Sequence, residues 1–207
     1  MRAHPKDNPD HYCRDGYFPR EGAGYRLATV SGKAGERAYF HDDEPEKCPA
    51  DASCRLKSYV VAKDQVIVSR TLGRFACSWF QPRRGAGTTG WLETGRLTFT
   101  GSIKQPSERD WLGEWRTDGD NTIRIRKAKT GGELDIAGEA TAGLTPNIGE
   151  LGHTAKPVGD TMKFADAPGE GSCEVEMQLI GKLVLVEENV KCGGAKVSFS
   201  GTYRKRR

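Results

Sequence analysis

A chain of 207 residues with a formal net charge of +4, of which 36% are hydrophobic and 29% charged, holds a modest stock of apolar side chains. Nucleic-acid binding is excluded as the main activity, because such proteins concentrate a far stronger basic field than this evenly mixed chain carries. No apolar run approaches the roughly 20 residues that a membrane-spanning helix needs, so no transmembrane segment is predicted.

The first half of the chain is predicted to form one small β domain over residues 25–100, after an irregular lead-in over residues 1–24. The lead-in is rich in Pro, Asp, Arg and Gly and has no periodicity. Strands separated by turn residues are predicted at 25–31, 37–41, 58–62, 65–70, 74–80 and 89–92. Residues 101–110 break the apolar pattern and are predicted to be a linker, in which Ser107 and Asp110 favour a single helical turn.

The second half, residues 111–207, is predicted to form another β domain. Alternation is clearest in TIRIRK, where Ile123 and Ile125 share one face of a strand and arginines share the other. Strands are predicted at 113–116, 122–128, 133–139, 161–165, 173–180, 183–188 and 195–204. Seven short strands suit a closed or nearly closed antiparallel barrel, with the Gly-rich stretch 141–160 as a long loop over one rim.

Six cysteines form an even set whose spacings match neither zinc ribbons nor a Cys/His finger. Disulfides are therefore favoured, with buried reduced thiols in a cytosolic protein as the alternative. A short loop favours a Cys48–Cys54 bond and neighbouring strands favour Cys173–Cys192, which leaves Cys13 with Cys77, although 15 connectivities are open. Disulfides persist in oxidising compartments, so a periplasmic or secreted bacterial protein is expected, its export signal already removed.

The aromatic residues of the first domain divide between core and surface. Phe75, Cys77 and Trp79 share one strand face by their period of two, and core packing is the simpler interpretation for them. Other aromatic side chains could line an open groove, since aromatic faces bind peptides and glycans without any reactive group. The predicted ligand-binding residues are Tyr39, Tyr59, Phe80 and Trp91.

Short sequences that resemble cofactor-binding or catalytic motifs lack the neighbouring secondary structure or partner residues that those motifs require. Gly85, Gly87 and Gly90 spell GxGxxG after a strand, but Trp91 and Leu92 continue as strand, so a hairpin loop is predicted. The four histidines lie among turn residues without ligand spacing, and no serine or cysteine stands beside a positioned base. No metal, no cofactor and no catalytic residue is predicted, and the protein is not expected to be an enzyme.

Two stretches resemble known families. Between Ala28 and Phe99, the strings CPADASCR, YVVAKDQVIV, FACSWF and TTGWLETGRL resemble the bacterial Src-homology-3-like domain, a small barrel common in exported cell-envelope proteins. The LGEW opening at residues 112–115 looks like that of a small calycin-type barrel, and CGG-x-x-x-SFSG-x-Y at residues 192–203 is similar to uncharacterised envelope domains found beside lysozyme-inhibitor-like modules. The resemblance implies an all-β fold of two small antiparallel β-barrels, one Src-homology-3-like and one calycin-like, stapled by disulfides.

These observations predict a non-catalytic cell-envelope protein that binds a cell-wall peptide or glycan, or a protein partner, through the aromatic groove. The alternative is a periplasmic inhibitor or immunity protein against a wall-degrading enzyme such as a lysozyme or amidase. In that case the 141–160 loop would insert into the enzyme. Its polar candidates are Asn147, Glu150, His153 and Asp160.

Overall fold

The computed structural model divides the chain into two compact units. The first comprises Met1–Phe18 and Gly22–Ser102, and the second Pro19–Glu21 and Ile103–Arg207. The boundary between Ser102 and Ile103 falls within the stretch predicted to be the linker. The structure describes residues 11–14, 17–19, 24–44, 46–100, 105–119, 121–141, 147–166, 171–189, 191–193 and 196–206. Each unit is built on one antiparallel sheet, which confirms the predicted all-β class.

The first unit contains a seven-stranded sheet in the order β3-β2-β6-β5-β4-β1-β7. Its strands are β1 (Arg26–Val30), β2 (Arg37–His41), β3 (Arg55–Val61), β4 (Gln65–Leu72), β5 (Phe75–Phe80), β6 (Thr88–Glu93) and β7 (Leu97–Phe99). Six of them lie where the sequence predicts strands. The seventh, β7, has only three residues, too few for an alternating pattern to show.

The main core of this unit lies on one face of the sheet, and strand β5 is buried on the other face as well. The main core includes side chains from both edge strands, Val60 of β3 and Leu97 of β7. Because both edges of the sheet reach the same core, the sheet curls around it. The opposite face carries Phe75, Cys77 and Trp79 of β5, all buried, as their period of two predicts. Cys77 is bonded to Cys13, and this bond attaches the lead-in to the sheet.

The second unit is an eight-stranded meander that forms a nearly closed barrel. Its sheet order is β11-β10-β9-β8-β15-β14-β13-β12, in which the last strand, β15, pairs with the first, β8. The two edge strands, β11 and β12, also contact each other. The strands are β8 (Gly113–Arg116), β9 (Thr122–Lys127), β10 (Leu134–Thr141), β11 (Ile148–Ala155), β12 (Thr161–Ala165), β13 (Glu174–Ile180), β14 (Leu183–Glu188) and β15 (Gly201–Lys205).

A single helical turn, α1 (Glu108–Trp111), precedes the barrel as predicted. The Asp110 carboxylate accepts hydrogen bonds from the backbone N–H and the hydroxyl of Ser107 at 2.7 and 2.8 Å. The first N–H groups of a helix have no carbonyl partner within it, and these bonds give the Ser107 donors an acceptor. The turn ends at Trp111, which is fully buried in the barrel core.

The described interior of the barrel is packed with apolar side chains rather than open to a ligand. Two of its large polar aromatics are hydrogen-bonded, since Trp115 Nε1 donates to the Trp111 carbonyl at 2.8 Å and the Tyr203 hydroxyl donates to the Phe199 carbonyl at 2.7 Å. The indole N–H of Trp111 is buried without a hydrogen-bond partner among the described residues. Burial raises the pKa of Tyr203 above its ordinary value. A closely packed core makes the barrel a rigid scaffold for the side chains on its outer face.

The prediction of a long loop at 141–160 is wrong for its central part, where β11 spans Ile148–Ala155. Every residue of β11 faces one of β10 in register, and Leu151 and Ala155 point into the core. Gly149 obscures the strand pattern but is required there, because a Cβ at that position would lie 2.5 Å from Cα of Gly193. The last predicted strand, 195–204, is also wrong at its start, since strand β15 begins only at Gly201.

All six cysteines are paired, as Cys13–Cys77, Cys48–Cys54 and Cys173–Cys192. This confirms the predicted pairing over reduced thiols and over the other connectivities. Within the described ranges, no helix has the length and apolar character that crossing a bilayer requires.

Candidate functional site

The first unit carries a groove of about 700 Å³ on the side of the sheet where β2 and β3 pair. We call it the arginine–tyrosine groove. Its lining consists of Arg37, Ala38, Tyr39, His41, Ala50, Ala52, Ser53, Arg55, Arg74, Glu93 and Arg96. Four of these side chains are guanidinium groups and one is a carboxylate, so the lining is predominantly cationic.

Strand alternation places the β2 side chains of the groove. Ala38 and Phe40 point into the core, so Arg37, Tyr39 and His41 share the opposite face. Across the ladder Tyr39 faces Tyr59, whereas a register shift between Tyr39 and His41 brings Arg55 opposite His41. The irregularity in β3 thus adds a second arginine to the groove.

Arginine and tyrosine side chains stack on one another along β2 and β3. The guanidinium carbon of Arg37 lies 4.2 Å from the ring centroid of Tyr59, and that of Arg55 lies 4.6 Å from the ring of Tyr39. The two rings meet edge to face at 5.7 Å. Cation–π contact of this kind fixes the plane of each guanidinium while its N–H groups stay available to a ligand.

The charges of the groove are unevenly compensated. Arg96 pairs with Glu36 at 2.7 Å, and Arg74 lies 3.9 Å from Glu93. Among the described residues, no carboxylate forms an ion pair with Arg37 or Arg55. A hydrogen bond with Tyr39 is the main cause that raises the pKa of Arg37. Each of these two arginines has five N–H donors and no carboxylate partner among the described residues, so donors remain for an anionic group.

His41 contributes a neutral polar group beside the arginines. Its ring lies 5.1 Å from that of Phe75, and burial is the main cause that lowers its pKa. Nδ1 is buried without a hydrogen-bond partner among the described residues. Burial thus disfavours the protonated imidazole, so His41 adds little to the positive charge of the groove.

The loop wall of the groove is held by local bonds. Cys48 and Cys54 close the loop, and the Asp51 carboxylate accepts hydrogen bonds from the hydroxyl and the backbone N–H of Ser53 at 2.6 and 2.9 Å. The bonds from Ser53, with smaller help from Lys47 at 3.2 Å, lower the pKa of Asp51 to about 2. Asp51 therefore stays ionised and keeps the loop in one conformation across the usual pH range.

The four aromatic residues predicted to bind a ligand do not form one site. Tyr39 lines the groove, and Tyr59, which is 41% exposed, contacts it. Trp91 is fully buried, so its prediction as a ligand contact is wrong: β6 lies between β2 and β5, where both faces are covered. Phe80 packs partly buried against the core and does not line the groove either.

The arginines were missed because their neighbours in space are far away in sequence. Arg37 and Arg55 meet through β2–β3 pairing, whereas Arg74 and Arg96 come from the ends of other strands. One signal was present: the alternation in RAYFH already puts Arg37 and His41 on the same face as Tyr39.

The second predicted set, on the 141–160 stretch, does not form a protruding loop. Glu150 and His153 lie on β11, and the His153 ring stacks on Phe164 at 4.9 Å. Asn147 directly precedes that strand. Asp160 accepts a hydrogen bond from Gln178 at 2.9 Å and so has a structural role. Only Glu150 and Asn147 are well exposed, and residues 142–146 of the predicted loop lie outside the described residues.

No protein-family model matches the chain, and neither the curated proteins nor the solved structures contain a match. The resemblance to Src-homology-3-like and calycin-like domains therefore stays a prediction.

Proposed function

We propose that this protein is a non-catalytic binding protein of the bacterial cell envelope and that its arginine–tyrosine groove binds a carboxylate-bearing cell-wall peptide. The observation that carries the proposal is the pair Arg37 and Arg55, each stacked on a tyrosine and without a carboxylate partner among the described residues. Planar guanidinium groups bind carboxylates through two parallel hydrogen bonds.

Size and composition of the groove also favour a peptide. A volume of about 700 Å³ lies within the range of small-ligand sites and accommodates a few residues of an extended chain. The tyrosine rings offer apolar contact for its backbone and side chains. The peptides of bacterial walls carry several free carboxylates, which Arg37 and Arg55 complement.

The envelope location rests on the three disulfides. Such bonds persist outside the reducing cytosol, and a chain with all six cysteines paired fits a periplasmic or secreted protein. The inhibitor alternative has less support, because residues chosen as its inserting loop lie on strand β11.

Replacing both stacked arginines, as Arg37→Gln with Arg55→Gln, should weaken binding to purified peptidoglycan about tenfold or more. Each lost charge-assisted hydrogen bond removes about 1.5–3 kcal/mol, and partial exposure of the groove reduces that figure. The measurement is the fraction of protein that sediments with insoluble peptidoglycan over a range of wall concentrations.

The matched control replaces two arginines outside the groove, Arg83→Gln with Arg84→Gln, on the exposed loop between β5 and β6. It removes the same charge, so it should leave sedimentation nearly unchanged if the groove, rather than net charge, binds the wall. Equal weakening in both double variants would contradict the proposed site, and no sedimentation of the wild-type protein would contradict the proposed ligand.

A further inference from the structure

The outer face of β8–β11 in the second unit carries charges in an unusual order. Residues that face each other directly across five strands form what we call the Arg116 row. It runs Arg204, Arg116, Thr122, Glu139, Glu150. Two cations therefore stand side by side at one end, two carboxylates stand side by side at the other, and a threonine separates them.

Neighbouring rows on the same face follow the opposite rule. Glu114 faces Arg124, with 3.6 Å between carboxylate and guanidinium, and Arg126 faces Asp135. Opposite charges directly across a ladder stabilise a sheet and like charges destabilise it. In the Arg116 row, Asp118 compensates Arg204 and Glu114 compensates Arg116, whereas Glu139 and Glu150 break this rule without a cation between them. Departures from local stability are characteristic of binding sites.

Four residues of the row, Arg116, Thr122, Glu139 and Glu150, line a groove of about 620 Å³, which we call the dipolar groove. The small residues Thr122 of β9 and Ala137 and Gly138 of β10 also line it, between the longer charged side chains. One wall carries Arg116 and Arg124 and the other carries Glu139 and Glu150. The depth of the groove thus follows from where the sequence places short side chains.

The positive wall has charge in excess. Glu114 accepts from Arg116 at 2.9 Å and from Arg206 at 3.0 Å, and Arg124 is its third cationic neighbour. The bond from Arg206 is the main cause that lowers the pKa of Glu114. One carboxylate shared among three guanidinium groups leaves about two positive charges to attract a ligand.

The negative wall has no compensation among the described residues. Glu139 and Glu150 are both exposed, face each other directly, and have no ion pair there. Cβ atoms of directly opposed residues lie about 4.5–5.5 Å apart, which is close enough for one ammonium group to contact both carboxylates.

We propose that the dipolar groove is a second binding site, for a peptide segment that carries an acidic and a basic side chain about three residues apart. The acidic side chain binds at Arg116 and Arg124, and the basic one binds between Glu139 and Glu150. Two strand spacings separate β8 from β10, about 10 Å, and three residues of extended peptide span about the same distance. This site lies wholly in the second unit and does not depend on the arginine–tyrosine groove.

The test is a titration of the isotope-labelled full chain with the blocked tetrapeptide Glu-Ser-Ser-Lys, followed by nuclear magnetic resonance. We expect the largest shifts at the backbone amides of Thr122 and Ala137. Changing either charged residue of the peptide to Gln should weaken binding about threefold, as is usual for exposed ion pairs. In the variant Glu139→Gln with Glu150→Gln, the peptides ending in Lys and in Gln should bind equally well.

The control variant is Glu174→Gln with Glu176→Gln on β13, which removes the same charge elsewhere and should keep the preference for Lys. Equal affinity for all three peptides, or shifts confined to residues outside the groove, would overturn the proposal. So would a dimer in sedimentation that the Glu139→Gln, Glu150→Gln variant dissociates, because a second copy of the chain would then occupy this face.

Relief of like-charge repulsion gives an independent prediction for stability. Glu150→Gln should raise the thermal unfolding midpoint of the second unit by about 1–4 °C, since it removes the repulsion with Glu139. Glu176→Gln, which removes an ion pair with Lys163, should give no such rise. Scanning calorimetry measures both, and an unchanged or lower midpoint for Glu150→Gln would show that the two carboxylates are not in conflict.

Discussion

Replacing Cys13 and Cys77 together by alanine is expected to lower the free energy of unfolding of the first unit by about 4 kcal/mol. The bond joins residues 64 positions apart, and the entropy that a cross-link removes from the unfolded chain grows with the length of the loop that it closes. Both sulfur atoms also belong to buried residues. A loss of this size is a large part of the 5–15 kcal/mol that holds a typical domain folded.

The Cys48→Ala, Cys54→Ala variant provides the matched comparison. Its bond spans only 6 positions, for which the same relation gives about 2 kcal/mol. Urea unfolding without reductant, followed by tryptophan fluorescence, measures both variants. Equal losses in the two would mean that chain entropy does not set the difference, and that the lead-in contributes little to the first unit.

Trp91→Ala is expected to destabilise the first unit by about 3–5 kcal/mol without weakening ligand binding by the protein that remains folded. The side chain is fully buried on the interior strand β6, and removal of a large core aromatic leaves a cavity that neighbouring side chains fill only in part. Chemical denaturation gives the stability, and sedimentation with peptidoglycan gives the binding.

Two further substitutions separate packing from binding at this position. Trp91→Phe should cost much less than Trp91→Ala, because it keeps most of the ring and removes an indole N–H that has no partner among the described residues. Tyr59→Ala, at a partly exposed position beside the groove, should weaken binding to peptidoglycan but change the free energy of unfolding only slightly. If Trp91→Ala weakened binding while leaving stability unchanged, the side chain would have to be a ligand contact after all.

Elements with strict alternation could be predicted from the sequence because each has one buried face. In β9 the isoleucines Ile123 and Ile125 lie in the core between exposed arginines, and in β5 the face of Phe75, Cys77 and Trp79 is the one predicted. The disulfide pairing was also predictable, since two pairs were local and only one partner remained for Cys13. The strand faces are set by residues two positions apart, and the Cys13–Cys77 bond follows once the other two pairs are assigned.

Long-range register could not be predicted, and both grooves depend on it. Strand β11 was missed because Gly149 and Gly152 weaken its alternation, although Gly149 is needed for close packing against Gly193. Without β11, Glu150 could not be placed opposite Glu139. Arg55 likewise reaches His41 only through a register shift in the β2–β3 ladder that no local pattern indicates.

One wall of the arginine–tyrosine groove is part of a covalent ring, since Cys48 and Cys54 are bonded across the loop that contains Ala50, Ala52 and Ser53. This wall is preorganised: its shape exists before a ligand arrives, and binding avoids the entropic cost of ordering a mobile segment. The proposed peptide binding at this groove would thereby be coupled to the redox state of the surroundings. A reducing medium would loosen the wall and weaken recognition even while the sheet beneath it stays folded.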